Sequence, residues 1–271
     1  MPTALHIGQA ILCRHLPYGE SSQIYHCYTR DHGLLSFMAK GVYQGKSGKN
    51  LPLDFYGLYE VIYQPKKDQS LTLLRENNCI HHWKSIREQL EKQALAQVLL
   101  EVYLRYTSAS TESGALYNLL LHALHDLETS SPDVHESAFL IRFFLDFLEL
   151  LGLRPELEKC VFCSASLNPA IHQKKSGLFF ILSEGGVICP SCSSKNKEGR
   201  PLSGWEFQLL RLCQSSSQLP NQPSYQWLLK AEDTLDLFLS YHTGNHTVLK
   251  SRPFLNNLRR APKINQVFKS E

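Results

Sequence analysis

Two pairs of cysteines with the spacing of metal ligands are the most informative residues of this 271-residue chain. Cys160 and Cys163 have two residues between them, as do Cys189 and Cys192, and 25 residues separate the two pairs. Four thiolates presented in this way match the tetrahedral coordination that Zn²⁺ prefers. Because four protein ligands leave no position for water, the pattern predicts one structural zinc ion and no catalytic metal.

Two disulfides or two redox-active CxxC motifs are the alternatives for these cysteines. Disulfide frameworks belong mainly to secreted chains, and the first residues lack the basic segment and apolar run of a signal peptide. A redox motif would also need a strand and a helix around each pair, which this sequence does not suggest. We therefore favour zinc and expect a cytoplasmic chain. The other cysteines have the apolar neighbours of ordinary buried thiols: Cys13, Cys27, Cys79 and Cys213.

Charge is distributed unevenly along the chain, although the net formal charge is only +3. Residues 81–155 hold ten acidic and six basic side chains, whereas residues 1–80 hold eight basic and six acidic ones. Residues 249–271 hold six Lys or Arg residues and a single acidic residue, Glu271. Local basic faces of this kind can bind a polyanion even when the total charge is small. No apolar run reaches the length needed to cross a bilayer, so we expect no membrane partner.

Residues 1–80 are predicted to form short β-strands. Apolar residues alternate with period two, most clearly at Tyr59, Val61 and Tyr63, and turn residues separate the alternating segments. Five strands in about 80 residues suggest a small closed barrel, of either the SH3-like or the OB type. The five segments are 7–13, 23–29, 34–39, 56–63 and 70–74.

After residue 82 the apolar period changes to that of helices. Apolar residues recur about every four positions from Ile86 to Tyr106, which predicts one long amphipathic helix. Residues 138–151 are apolar nearly all round and are therefore expected at the centre of a helical domain. Gly152 is predicted to end this helix.

The chain is thus predicted to have an α+β fold in four regions. The barrel of residues 1–80 is followed by the first part of a helical domain over residues 81–155. Residues 156–200 form the inserted four-cysteine zinc module. Residues 201–271 hold the second part of the helical domain and the basic tail, and Ser203 with Glu206 forms a capping box for its first helix.

Local motifs along nearly the whole chain are similar to those of one protein family. The strongest is LLGLRPEL at residues 150–157, which directly precedes the first cysteine pair. Together with the order of barrel, helices, four-cysteine module, helices and basic tail, these motifs resemble the RecO family of bacterial recombination mediators. The others are PYGES at 17–21, TRDHGLL at 29–35, AKG at 39–41, GGV at 185–187 and LKSR at 249–252.

The resemblance implies a protein of DNA repair that is not an enzyme. It implies that residues 1–80 form a five-stranded OB-fold that binds single- and double-stranded DNA and anneals complementary strands. It also implies that the chain works with RecR, and indirectly with RecF and RecA, to load RecA onto DNA coated by the single-strand-binding protein SSB. The expected location is the cytoplasm, in association with the nucleoid.

Eight basic residues are the candidates for phosphate contacts. Tyr18, Phe37, Tyr43 and Tyr59 are the candidates for stacking on bases, although an aromatic residue on a strand more often belongs to the core. A basic side chain in a loop or a tail can likewise be solvated and bind nothing. The eight candidates are Arg14, Arg30, Lys40, Lys46, Lys49 and Arg75 in the barrel region, and Lys250 and Arg252 in the terminal motif.

The resemblance implies a second site, on the helical domain, for the acidic and apolar C-terminal tail of SSB. Arg142, on an otherwise apolar helix, is the first candidate for binding this tail, and Arg105 is the second. The alternative for Arg142 is an ion pair inside the protein. Its possible partners are Glu101, Asp146 and Glu149.

Two other functions remain open for the sequence. The chain could be a zinc-stabilised protein-interaction scaffold without direct DNA binding, or, less in keeping with its motifs, a DNA-stimulated hydrolase. HExxH, GxSxG and P-loop patterns are absent, so no catalytic residue is predicted. Salt-sensitive binding of single-stranded DNA would separate the mediator from the scaffold.

Overall fold

A computed structural model of the chain shows two compact units. The first consists of residues 1–132 and 248–271, and the second of residues 133–247. The four-region division proposed from the sequence stays a prediction. The structure describes residues 5–42, 52–64, 71–109, 113–130, 136–168, 177–194, 199–215, 224–245 and 247–260.

The first unit begins with a closed five-stranded barrel. Around the barrel the strands follow the order β1-β2-β3-β5-β4, and β4 pairs back onto β1. The β3–β5 pair is parallel and the other pairs are antiparallel. This confirms the predicted five-stranded OB-like barrel. The strands are β1 (His6–Tyr18), β2 (Ser22–Thr29), β3 (Gly33–Ala39), β4 (Gly57–Tyr63) and β5 (Thr72–His82).

The barrel interior is filled by the inward-facing side of each strand. On β4, Tyr59, Val61 and Tyr63 are buried while Glu60 is exposed, as the period-two alternation predicts. Phe37 and Tyr59 belong to this core, so the expectation that they could stack on bases is wrong. Tyr18 is 51% exposed and stays a candidate, whereas Tyr43 lies outside the described residues.

Helices of the first unit pack on the outside of the barrel, and α2 contacts β1. The single long helix predicted after residue 82 is wrong, because Gln89 has extended backbone angles and separates α1 from α2. The carboxylate of Glu128 on α3 accepts the N–H groups of Ser85 and Ile86 at 3.0 and 3.1 Å, so α1 has a helix start of its own. These helices are α1 (Lys84–Glu88), α2 (Leu90–Tyr106), α3 (Ser113–Thr129) and α8 (Ser251–Arg260).

The second unit packs helices around a small three-stranded sheet with the order β7-β6-β8. Helix α4 is central and packs against both α6 and α7, as its apolar surface predicts. None of the described helices is long and apolar enough to cross a membrane. The elements are α4 (Glu136–Leu150), β6 (Leu178–Ile181), β7 (Gly186–Ile188), α5 (Pro190–Ser193), β8 (Arg200–Leu202), α6 (Gly204–Gln214) and α7 (Tyr225–Thr243).

Two helix boundaries in this unit agree with their sequence signals. Gly152 has a φ of +72°, and the N–H of Leu153 donates to the carbonyl of Leu148 at 2.8 Å, which ends α4 in a Schellman-type turn. Helix α6 begins after Ser203, whose side chain accepts the N–H of Glu206 at 3.2 Å. The capping prediction for Ser203 is therefore confirmed.

Candidate metal centre and nucleic-acid interface

The four predicted metal ligands lie together in the second unit. The Sγ atoms of Cys160, Cys163, Cys189 and Cys192 all lie within 4.8 Å of one another, and those of Cys163 and Cys189 are 3.7 Å apart. Zn–S bonds of about 2.3 Å in a tetrahedron place the sulfurs about 3.8 Å apart, whereas a disulfide needs about 2.05 Å. All four are free thiols. The donor set therefore fits a single tetrahedral metal ion.

Each cysteine pair sits in a tight turn of the backbone. In the first turn, the N–H of Ser164 donates to the carbonyl of Cys160 at 2.9 Å, and Ser164 adopts a left-handed φ of +58°. In the second, Cys189 directly precedes α5, and the N–H of Cys192 donates to the Cys189 carbonyl at 3.0 Å. Both turns fold the two sulfurs of a pair toward one point.

Gly186 allows the segments that carry the two cysteine turns to approach closely enough for hydrogen bonds. The N–H of Val187 donates to the Glu156 carbonyl, and the N–H of Val161 donates to the Val187 carbonyl, each at 3.1 Å. A Cβ atom at position 186 would lie 2.6 Å from the Glu156 carbonyl oxygen and 2.7 Å from a methyl group of Val161. Only glycine allows this close approach, which gives the GGV motif a structural reason.

The polypeptide around Cys160 favours the thiolate form of this residue. Burial raises the pKa of Cys160, but N–H groups of Cys189, Cys163 and Phe162 outweigh burial and lower the pKa to about 6. One of these donors, the N–H of Cys189, lies 3.3 Å from the Cys160 sulfur. Since metals bind the thiolate and not the thiol, these amides prepare the site for a metal.

In the first unit, a cavity of about 630 Å³ brings together residues from distant parts of the sequence. We call it the basic cavity. Two of the candidate DNA contacts line it, Arg14 from β1 and Lys250 from the residue before α8, and both side chains are exposed. Among the described residues, neither the Arg14 guanidinium nor the Lys250 ammonium has a hydrogen-bond or ion-pair partner. The charged and aromatic lining residues include Arg14, Phe55, Glu101, Arg105, Lys250 and Phe254.

A β-bulge directs Arg14 to the cavity. The pairing register of β1 with β2 shifts between Leu12 and Arg14, which leaves Cys13 buried and turns Arg14 outward. His26 lies opposite Arg14 on β2, and burial together with the charge of Arg14 lowers the pKa of His26. The lowered pKa favours the neutral form of His26, so the positive charge at this pair lies on Arg14.

Glu101 anchors α8 on α2, a role that the sequence did not reveal. Its carboxylate accepts the N–H groups of Lys250 and Ser251 at 2.8 Å and the Ser251 hydroxyl at 2.7 Å, and it pairs with Arg105 at 2.7 Å. Burial raises the pKa of Glu101, but these donors outweigh burial and lower it. The LKSR motif thus forms the start of α8. Within it, Glu101 fixes Ser251 by hydrogen bonds, and Lys250 lines the cavity.

Glu101→Gln is expected to loosen α8 by about 1–2 kcal/mol, because hydrogen bonds to a charged acceptor are replaced by weaker ones. Faster hydrogen exchange at Leu255 would report this loss of stability in α8. Glu91→Gln is the control, because Glu91 is an exposed carboxylate on α2, the helix that carries Glu101. Because folding lowers the pKa of Glu101, the anchor is intact above the ordinary Glu pKa and is lost as the pH falls through the lowered pKa. Unchanged exchange at Leu255 in the variant would contradict this role.

The remaining candidate DNA contacts lie elsewhere. Lys40 and Arg75 are both exposed. Strands β3 and β5 pair in parallel up to Met38 and Leu73, and Lys40 and Arg75 each follow two residues after this pair. Arg30 is exposed at the end of β2. Arg252 is only 3% exposed, and this burial argues against a phosphate contact. Lys46 and Lys49 lie outside the described residues.

The two candidates for tail binding belong to different units. Arg142 is half-buried on α4 of the second unit. Burial raises the pKa of Asp146 and of Cys213, and the positive charge of Arg142 partly lowers both. Arg105 belongs to the first unit, pairs with Glu101 and lines the basic cavity. Tail binding by either arginine stays a prediction.

Comparison with known proteins identifies the family. The family model "Recombination protein O N terminal" matches residues 4–83, and "Recombination protein O C terminal" matches residues 87–253. DNA repair protein RecO of Desulfatibacillum aliphaticivorans is 30% identical over 255 residues, which cover 93% of this chain and 96% of that one. DNA repair protein RecO of Bacillus subtilis is 29% identical over 257 residues, 92% of this chain and 93% of its own. The two family models match most of the chain, and the barrel and the four-cysteine cluster agree with them. The chain therefore belongs to the RecO family of DNA repair proteins.

Proposed function

We propose that this chain is a recombination mediator that binds single- and double-stranded DNA and anneals complementary strands. The observation that carries the proposal is the meeting of Arg14 and Lys250 at one cavity beside an OB-like barrel. Their charges have no partner among the described residues and are available to phosphates. Membership of a DNA repair family supports this reading.

Annealing would follow from electrostatics without a catalytic step. Two DNA strands repel one another through their phosphates, and a basic surface that neutralises some of these phosphates lowers the repulsion. Release of counterions would drive the binding of both strands to this surface, and base pairing would then drive their annealing. We propose no catalytic residue, and nucleotide hydrolysis is not required.

The same proposal includes partner proteins and a metal. With RecR, the chain would help load RecA onto DNA coated by SSB, and it would hold the SSB tail through Arg142 or Arg105. The four cysteines would hold one Zn²⁺ that stabilises the second unit and takes no part in DNA chemistry. We place this activity at the nucleoid, in the cytoplasm, where DNA is repaired.

Binding of a single-stranded oligonucleotide should weaken as salt is added. Each phosphate neutralised on a single strand contributes a slope of about −0.7 to log affinity against log salt, so Arg14 and Lys250 together should contribute about −1.4. Fluorescence anisotropy at several salt concentrations measures this slope. Arg14→Ala and Lys250→Ala should each make the slope shallower by about 0.7.

Lys84→Ala is the control for these variants, because Lys84 is an exposed lysine that does not line the basic cavity. Its slope should equal that of the unmodified chain. Binding of an SSB tail peptide without any DNA binding at low salt would instead favour the zinc-stabilised interaction scaffold.

A further inference from the structure

We propose that the basic cavity holds one unstacked nucleotide of a single strand, with the phosphate at Arg14 and Lys250 and the base against Phe254 and Phe55. The inference rests on the proposed DNA binding and adds a specific place for one base. It also separates two roles of the terminal motif, because Lys250 would contact the phosphate while Ser251 fixes the helix.

The charges of the cavity suit a phosphate. Among the described residues that line the cavity, Arg14, Arg105 and Lys250 are the cations and Glu101 is the carboxylate. Arg105 and Glu101 neutralise one another in an ion pair whose side chains are only 14% and 16% exposed. The described lining residues therefore leave two positive charges at the cavity, Arg14 on β1 and Lys250 at the start of α8. A phosphate group between them would be held from two sides.

The aromatic residues of the cavity suit a base. Phe254 is 48% exposed, although it lies on a helix that is otherwise rich in polar and basic side chains. Phe55 lines the same cavity and is held in place by the rings of His15 and Tyr56, at 5.0 and 6.0 Å. An exposed phenylalanine beside uncompensated cations is the combination by which single-strand binders hold bases and backbone.

Neutral polar side chains on the cavity wall could contact the edge of a base. Gln97 donates from Nε2 to the Tyr56 hydroxyl at 2.8 Å, and His26 bonds to the Ser36 hydroxyl through Nδ1 at 2.8 Å. Both line the cavity, and both are fixed by these bonds. An acidic peptide would use the cations and the apolar wall, whereas a nucleotide would use the cations, the aromatic faces and these polar groups together. The cavity therefore fits a nucleotide better.

The size of the cavity supports the same ligand. A volume of about 630 Å³ is within the range of small-molecule sites, roughly 300–1,000 Å³, and is too small for a duplex. A base inside a duplex is stacked and paired, and it could enter only after being flipped out. The cavity should therefore bind single strands and leave duplexes to the basic surface outside it.

The test compares two single strands of equal charge, a 12-residue oligothymidylate and a 12-residue oligomer of abasic deoxyribose phosphates. Phe254→Ala should weaken binding of the oligothymidylate roughly tenfold and leave binding of the abasic oligomer unchanged. Lys250→Ala should weaken both. Phe254→Trp should retain or strengthen oligothymidylate binding, because tryptophan also stacks on bases.

Tyr241→Ala is the matched control. Tyr241 is 47% exposed, close to the 48% of Phe254, but lies on α7 of the second unit and does not line the cavity. Equal oligothymidylate affinity for Phe254→Ala and Tyr241→Ala would overturn the nucleotide site while leaving DNA binding itself intact. Absence of binding to both strands by the unmodified chain would overturn the proposed function as well. An SSB tail peptide that loses affinity in Phe254→Ala while oligothymidylate binding is unchanged would assign the cavity to a peptide.

Discussion

Cys160→Ser is expected to abolish stoichiometric metal binding and to unfold the backbone around the cysteine turns. Cys160 is only 2% exposed, and its sulfur accepts the N–H of Cys189, so no water can replace it as a ligand without local opening. In small zinc domains, metal binding supplies about 10–16 kcal/mol of folding free energy. Elemental analysis of the purified variant and hydrogen exchange at Val161 and Val187 measure the two effects.

Cys79→Ser is the control for this variant. Cys79 is partly exposed on β5 in the first unit and is not a member of the four-cysteine cluster. Its metal content and the exchange at Val161 should match those of the unmodified chain. Freshly purified chain without stoichiometric zinc, or Cys160→Ser with full metal content, would disprove the assignment.

Lys92→Met is expected to destabilise the first unit by about 3 kcal/mol. Lys92 is only 3% exposed, and its ammonium donates to the Ser85 hydroxyl at 2.8 Å and to the carbonyls of Glu128 and Ser130 at 2.9 Å. All three N–H groups are thus used, and two of the acceptors lie at the C-terminal end of α3, where a cation is favoured. Methionine fills the volume but leaves these buried oxygens without a donor.

Urea unfolding followed by Trp83 measures this effect, because Trp83 is the tryptophan of the first unit and is 1% exposed. Trp205 and Trp227 of the second unit are replaced by Phe so that the signal comes from one unit. Lys84→Met, at a lysine whose side chain is 80% exposed, is the control and should change stability by less than about 0.5 kcal/mol. An unfolding midpoint of Lys92→Met equal to that of the control would refute the role of Lys92.

Features set by local patterns were predictable from the sequence. The cysteine spacing predicted the metal cluster, and the alternation at Tyr59, Val61 and Tyr63 predicted the inward face of a strand. Gly152 also marked its helix end. Each of these signals lies within a few residues of the feature that it predicts, so no knowledge of the tertiary fold is needed.

Features set by contacts between distant residues were not predictable. The start of α1 is capped by Glu128, more than forty positions later, whose carboxylate accepts the N–H groups of Ser85 and Ile86. Arg252 was expected to contact DNA because its terminal motif resembles that of the family, but it is 3% exposed on α8, a helix whose start is held by Glu101 from α2. Periodicity and composition carry no information on such pairings.

The hydrogen bond between Ser251 and Glu101 joins positions 150 residues apart and has a consequence for biosynthesis. The whole second unit is inserted in the sequence between α3 and α8 of the first. A ribosome must therefore synthesise the whole second unit before α8 can dock and supply Lys250 and Phe254. The barrel can close early during translation, but the cavity is completed only after the second unit has been made, so a nascent chain that ends within that unit would lack the proposed nucleotide site.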